Sequence, residues 1–353
     1  MSRWIRRAVE RMTGYVPGEQ RSGPDVLKLN TNENPYPPSP RVIEAIRRFS
    51  VASLRLYPDP LSRELRETIA QVHGVSSDHV FVGNGSDEIL RLITLAFVED
   101  NGAIARFHPS YTLYDVLAQC RGVPLRRVAL GPDFGWRSPP PRLRASLFFL
   151  TSPNSPTGRL YPDEAVTAFC DRFDGVVVLD EAYAEFASRN GLALARTRPN
   201  VLVVRTLSKA YALAGARLGY AVGPTALIAA LDKIKDSYNI NRMTQAAARA
   251  ALEDQAYLQR TVARIRRTRE RLSEELRALA FEVVPSEANF LWAAPTRITA
   301  RALTEALRAR DILIRYNPEE WHPNYVRITV GTDAQIRRLV AAIREIQEQR
   351  RCD

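Results

Sequence analysis

The chain has 353 residues, 45% hydrophobic and 25% charged, a size that accommodates a large domain with a smaller companion. No apolar run reaches the length of a membrane span. The three dispersed cysteines, Cys120, Cys170 and Cys352, argue against a disulfide framework or metal site and for a reducing, cytoplasmic setting. The net charge of +11 raises the question of nucleic acid, but the arginines are interspersed with glutamates along helical faces, as in Arg264 to Glu270, and no nucleic-acid-binding motif accompanies them.

Residues 1 to 40 read as an arm. Its Arg-rich start, Met1 to Glu10, lacks the apolar core of a secretory signal. Gly14, Pro17, Gly18, Gly23 and Pro24 interrupt the stretch leading to Leu27-Lys28-Leu29-Asn30, and the proline-rich run from Asn34 to Pro40 admits no regular structure. A helix is predicted from Pro40 to Phe49 with Ser39 as its cap, and another from Leu61 to Val72. From residue 78 short β-branched or aromatic runs alternate with helical ones. Strands are expected at Val80–Val82, Ala103–Arg106, Leu125–Val128, Leu147–Leu150, Val176–Leu179, Val201–Arg205 and Gly219–Val222, with helices such as Ile89–Phe97 and Pro162–Phe173 between them. This alternation specifies an α/β fold, a mostly parallel central sheet with helices on both faces. The wholly apolar runs at 147–150 and 176–179 mark strands buried on both sides. Residues 224 to 278 read as helical with a break near Asp236–Asn239. Beyond Phe281, strands at Glu282–Val284, Asn289–Ala293, Ile312–Arg315 and Val326–Val330 alternate with helices at Thr299–Arg310 and Thr332–Gln349, a smaller C-terminal α/β domain. The expected division is therefore an arm (1–40), a large domain with a long connecting helix (41–278) and a small domain (279–353).

In such a sheet, ligands sit outside the carboxyl ends of the strands. The predicted strands end in Gly83-Asn84-Gly85-Ser86-Asp87, Thr151-Ser152-Pro153-Asn154-Ser155, Asp180-Glu181-Ala182-Tyr183 and Thr206-Leu207-Ser208-Lys209. Lysine is scarce: Lys28, Lys209, Lys233 and Lys235 are four of 50 basic residues, leaving 46 arginines. A lysine amine forms a Schiff base once its pKa is lowered, and a guanidinium cannot. Asp180 follows four apolar residues and needs a cationic partner, which a protonated pyridine nitrogen would supply. Tyr183 can hydrogen-bond a ring oxygen. Gly85, Ser86 and Asp87 open a helix whose free N–H groups suit a phosphate, with Ser208 and Arg217 adding a hydroxyl and a forked donor. Taken together, these strand ends call for pyridoxal 5'-phosphate (PLP) on Lys209, and no metal.

The chain resembles the fold-type I PLP-dependent aminotransferases, and within them the histidinol-phosphate aminotransferases, from Tyr15 to the last helix. The resemblance rests on Leu29-Asn30-Thr31-Asn32-Glu33-Asn34-Pro35, Tyr57-Pro58-Asp59, Gly83 to Glu88, Pro109-Ser110-Tyr111-x-x-Tyr114, Pro153 to Gly158, Asp180 to Tyr183, Arg205 to Tyr220 and Val326 to Gly331. It implies transamination of L-histidinol phosphate with 2-oxoglutarate; an aromatic amino-acid aminotransferase and a threonine-phosphate decarboxylase are alternatives on the same scaffold. A non-catalytic PLP-binding regulatory module is a more remote one, for which too few residues precede the main fold. The resemblance further implies that Lys209 carries the cofactor and shuttles the proton, that Asp180 holds the pyridinium and that Tyr111 stacks on the ring. Gly85, Ser86, Asp87, Thr206, Ser208 and Arg217 complete the cofactor site. Tyr57 reaches the cofactor phosphate of the other subunit, which makes the protein a homodimer. Arg327 takes the substrate carboxylate, and Tyr15 and Arg315 line the end that holds the substrate phosphate. One departure stands out: where the family usually has a second asparagine touching the ring oxygen, this chain has Ser155. Either the shorter hydroxyl makes that contact, by a small shift or through a water, or the Asn154 amide replaces it.

Overall fold

The computed structural model describes residues 3–21 and 23–352. Met1, Ser2, Ser22 and Asp353, which fall in the arm and terminal segments delimited above, lie outside the described residues. The strands in chain order are β1 (Leu27–Leu29), β2 (Val80–Gly83), β3 (Ile104–His108), β4 (Leu125–Ala129), β5 (Leu147–Thr151), β6 (Val176–Asp180), β7 (Val201–Thr206), β8 (Gly219–Val222), β9 (Phe281–Val284), β10 (Phe290–Pro295), β11 (Ile312–Ile314) and β12 (Val326–Thr329).

Seven strands form the central sheet in the order β2-β8-β7-β6-β5-β3-β4. All its pairs are parallel except those that β8 makes with β7 and β2. That exception has a local cause. The segment between β7 and β8 contains only turns and a short 3-10 helix, so the chain returns beside β7 without the crossover that a parallel neighbour needs. Side chains alternate across the sheet with period two. Val82, Phe107, Phe148, Val177, Val203 and Val222 enter one core, and Phe81, Ile104, Phe149, Val178, Leu202 and Ala221 the other. Both faces are apolar because helices cover both, as the uninterrupted hydrophobic runs require. Ser39 caps the helix Pro40–Arg47 by accepting from the Arg41 N–H. The predicted helical region after residue 224 divides into Thr225–Ile234, Arg242–Glu253 and Gln255–Ala278, the last capped by Asp254, a second break that periodicity did not mark. Among the described residues no helix is long and apolar enough to cross a membrane.

A separate core gathers the chain beyond Leu272 around the antiparallel sheet β12-β10-β9 and the helix Asp333–Cys352. Leu27-Lys28-Leu29, read above only as part of the arm, is a strand. Its two leucines are buried in this core and it pairs in parallel with β11, Leu27 opposite Ile312 and Leu29 opposite Ile314. Just past that pairing, Arg315 and Arg327 exchange backbone hydrogen bonds (3.0 and 2.8 Å), which ties β11 to β12 and places two arginines side by side.

Register fixes the edge that faces the site. Thr151 lies opposite Asp180, Thr206 opposite Gly219, and Gly219 opposite Gly83. Gly219 is the tight point: a Cβ there would lie 2.5 Å from the Ser86 backbone nitrogen and 2.7 Å from the Gly85 carbonyl carbon. Backbone cannot yield as a flexible side chain can, so Gly219→Ala is expected to cost about 1–3 kcal/mol of stability. It should also displace the Gly85–Ser86 turn, which a denaturant midpoint and a cofactor-binding titration would both register.

Candidate active site

The carboxyl ends of the central strands, the arm and the β11–β12 edge enclose a cavity of about 240 Å³. Lys209 projects into it from the turn after β7, and its Nζ donates to the Thr31 carbonyl of the arm at 3.1 Å. Burial, reinforced by the nearby Arg327 guanidinium, pushes its ammonium down to about 8. Asp180, at the end of β6, is buried. Its Oδ2 accepts from the Tyr114 hydroxyl (2.7 Å) and its Oδ1 from the Ala182 N–H (3.2 Å), a phenol and an amide rather than a cation. Burial raises this carboxyl to about 6. A cation placed beside it would lower it again, as a protonated ring nitrogen does.

At the other end of the cavity the helix Ser86–Phe97 begins. Gly85 stands at its N-cap with φ +85°, and no side chain caps the first turn, which leaves N–H groups and the helix dipole facing the cavity. A Cβ on Gly85 would lie 2.6 Å from Arg217 Nη2, so the glycine makes room for that guanidinium. Arg217 reaches Ser208 Oγ at 3.5 Å and Asp87 Oδ2 at 3.4 Å, and the Thr206 hydroxyl donates to Ser208 Oγ at 2.9 Å. Tyr111 forms a side wall: its hydroxyl donates to Asp87 (3.2 Å) and its ring meets the edge of Tyr15 at 5.8 Å.

Across the cavity Arg327 is a half-buried cation that, among the described residues, faces hydroxyl and carbonyl groups and no carboxylate. Nη1 donates to Ser155 Oγ (3.0 Å), Nη2 donates to the Asn30 carbonyl (3.0 Å), and Nε is buried with no partner. The guanidinium lies over the rings of Trp321 (5.1 Å) and Phe290 (5.3 Å). Burial lowers its pKa from the ordinary arginine value, but the group stays charged at any physiological pH. Arg315 lines the cavity next to it and donates to the carbonyls of Pro17 (3.0 Å) and Val16 (2.8 Å), which holds the arm against the site.

The structure therefore brings together Tyr15, Ser86, Asp87, Tyr111, Ser155, Asp180, Tyr183, Thr206, Ser208, Lys209, Arg217, Arg315 and Arg327. Gly85 contributes through its backbone. Two expected residues do not reach the cavity of this chain. Asn154 is fully buried behind the wall: its amide donates to the Pro109 carbonyl (3.1 Å) and Thr157 Oγ1 (3.0 Å) and accepts from Ser110 Oγ (2.9 Å). Its amide is engaged by Pro109, Ser110 and Thr157, so the structure does not bring the expected Asn154 to the cavity, which Ser155 lines at this point. Tyr57 is 76% exposed and stacks on Tyr238 with centroids 4.4 Å apart. Sequence reasoning missed Tyr114, Thr151, Thr31 and Asn32. Tyr111 precedes the helix Leu113–Arg121 and Tyr114 lies in its first turn, where its hydroxyl reaches Asp180 beneath the site. Asn32 stands within the Leu29–Pro35 motif quoted above, but that motif gave it no role.

A family model for aminotransferases of class I and II matches residues 24–343. The chain belongs to the class I and II aminotransferases. Among its relatives in this family, the histidinol-phosphate aminotransferase of Syntrophotalea carbinolica is 45% identical, covering 97% of this chain and 99% of the relative. That of Geobacter sulfurreducens is 44% identical over the same shares. The crystal structure of the Sinorhizobium meliloti histidinol-phosphate aminotransferase in complex with pyridoxal-5'-phosphate superposes with a TM-score of 0.88 at 28% identity, covering 99% of each chain.

The lowered Lys209 pKa gives a direct test. A folded-state value near 8 means that the neutral, nucleophilic amine predominates above about pH 8 and is lost below it. In cofactor-free protein, trapping of a small aldehyde at Lys209 with cyanoborohydride should rise along a curve centred near pH 8, read by peptide mass spectrometry. A curve still climbing past pH 10 would show an ordinary lysine.

Proposed function

We propose that this aminotransferase moves the amino group of L-histidinol phosphate to 2-oxoglutarate, giving imidazole acetol phosphate and glutamate in histidine biosynthesis, with PLP as its cofactor. One observation carries the reading. Opposite a reactive lysine the cavity sets two adjacent arginines, Arg315 and Arg327, the second with a buried, unpartnered Nε. That is a receptor for the acid end of an amine substrate, in a chain 45% identical to a histidinol-phosphate aminotransferase.

The residues present fit PLP. Asp180 is a buried carboxylate short of a cation and would hold the ring nitrogen. The uncapped helix start at Ser86 and Asp87, with Ser208 and Arg217, would hold the phosphate; Tyr183 and Ser155 would face the ring oxygen, and Tyr111 would cover the ring. When bound, PLP supplies an electron sink that makes the α-hydrogen of an attached amine acidic. The protein supplies the rest. Lys209 is the attachment point. Its Nζ would take the proton from the substrate α-carbon and pass it to the cofactor's former aldehyde carbon, which leaves the lysine neutral again, and its lowered pKa keeps a useful fraction of neutral amine near pH 7–8. Arg327 and Arg315 orient the substrate through its phosphate in one half-reaction and through a carboxylate of glutamate in the other. A forked, charged donor accepts either oxyanion. Tyr15 and the arm, held by Arg315, form one wall of the cavity.

On this reading residues 41–278 carry the cofactor, and 279–353 with the 1–40 arm carry the acid-binding end. The protein acts in the cytoplasm as a homodimer, with Tyr57 reaching the phosphate of the neighbouring site. Its exposure, together with that of Val51, Leu54 and Leu56, supports that arrangement.

The test is a Lys209→Ala variant. It should bind PLP without the visible absorbance of the lysine-linked cofactor and lose at least about a hundredfold in turnover, as expected for removal of the proton-transfer group. Wild type assayed in parallel should use histidinol phosphate in preference to phenylalanine or threonine phosphate. Retained turnover in the variant, or a preference for either other amine, would overturn the assignment.

A further inference from the structure

Behind Tyr183 lies a polar network for which the reaction as described has no use. The Thr329 hydroxyl on β12 donates to Asn32 Oδ1 at 3.0 Å and accepts from the Asn32 backbone N–H at 3.0 Å. Asn32 Nδ2 in turn donates to the Tyr183 hydroxyl oxygen at 3.0 Å. All three residues are buried. Asn32 is held on its other side by Asn289, whose amide donates to the Asn32 carbonyl at 3.0 Å, and it adopts φ +59°, a conformation that asparagine tolerates better than most residues.

The direction of each hydrogen bond is set by counting protons. A hydroxyl has only one, and that of Thr329, whose oxygen accepts the Asn32 backbone N–H, goes to Asn32 Oδ1. With Oδ1 on the Thr329 side the amide N–H groups face Tyr183, so Tyr183 accepts from Asn32 and does not donate to it. Ser155 Oγ accepts from Arg327 and has its own proton free for the Tyr183 oxygen, so the single Tyr183 proton points into the cavity. We infer that Asn32 is a positioning residue: with Thr329 it fixes Tyr183 as a hydrogen-bond donor into the cavity, toward the ring oxygen of the bound cofactor.

This inference rests on the PLP reading above and deepens it. It also joins two functions of the site. Thr329 lies two residues after Arg327 on the same strand, so the strand that carries the acid-binding guanidinium also sets the polarity of the hydrogen bond to the ring. Donation from the amide makes the Tyr183 hydroxyl a stronger donor through the chain of hydrogen bonds. Burial raises the Tyr183 pKa, against which Arg327 and the Asn32 bond act, so the phenol keeps its proton. The charged groups acting on Tyr183 are Arg327 from β12 and Asp180 from β6, and changes at Asn32 or Thr329 leave both in place.

The experiment is a pH titration of the visible band of PLP-loaded protein. A donor to the ring oxygen stabilises its anion, so a weaker donor moves the midpoint to higher pH. Asn32→Gly removes the amide and suits the positive φ. It should raise the midpoint by about half a unit to one unit, the scale of one hydrogen bond. Thr329→Val should shift it the same way and Thr329→Ser should not, which keeps the test available if Asn32→Gly folds poorly. In a Tyr183→Phe background, Asn32→Gly should add nothing. An unchanged midpoint in both Asn32→Gly and Thr329→Val, or an equal Asn32→Gly shift with and without the Tyr183 hydroxyl, would overturn the inference. Failure of wild type to form any visible band with PLP would instead overturn the cofactor reading on which it stands.

Discussion

Arg327 is a half-buried cation with no carboxylate partner among the described residues, and much of the site is arranged around that fact. An isolated buried charge is costly, and a protein keeps one only where geometry and hydrogen bonds compensate. Here the compensation is partial. A serine oxygen, a backbone carbonyl and two aromatic faces surround the guanidinium, while Nε has no partner. The remaining demand is for an anion. The same charge acts on Lys209 across the cavity and, with burial, lowers its pKa. On the proposed reading one positive group serves substrate recognition and lysine activation together.

Such a group needs a stiff surround, which the large sheet provides at its carboxyl edge. Behind Lys209 and Asp180, Arg205 of β7 and Glu181 form a buried ion pair (2.7 Å) that bridges the two segments from which those residues project. Buried ion pairs add little net stability, but losing one partner leaves an unpaired charge, so the pair fixes relative position more than it adds stability. The arm supplies the opposite wall. Its strand β1 is anchored by two leucines in the C-terminal core, and from that anchor Asn30, Thr31 and Asn32 reach Arg327, Lys209 and Tyr183 in turn. Three consecutive residues of a segment without helix or strand therefore touch the three groups on which the proposed chemistry depends.

The parts of this arrangement legible in the sequence are those with a local cause. Apolar runs such as Leu147 to Leu150 announce strands buried on both faces, and in a parallel sheet the residues that follow them share one edge. That logic brought Asp180, Tyr183, Ser208, Lys209 and the Gly85 turn together without any coordinates. What escaped depends on pairing between distant segments. Nothing local to Leu27-Lys28-Leu29 shows that it pairs with Ile312–Ile314. Nor does the spacing of Arg315 and Arg327 reveal that they meet across an antiparallel bridge. The choice between Asn154 and Ser155 turned on which way a loop faces, and only the hydrogen bonds of the Asn154 amide decide it.

The proposed function requires that the guanidinium edge select an amine by its acid end. Titrating the PLP-loaded protein with L-histidinol phosphate and with L-histidinol, while following loss of the visible band, tests it most directly, because the two amines differ only in the phosphate. Two or more charge-assisted hydrogen bonds correspond to roughly a hundredfold or greater difference in half-saturating concentration in favour of the phosphate. Equal half-saturation by the two amines would contradict the account.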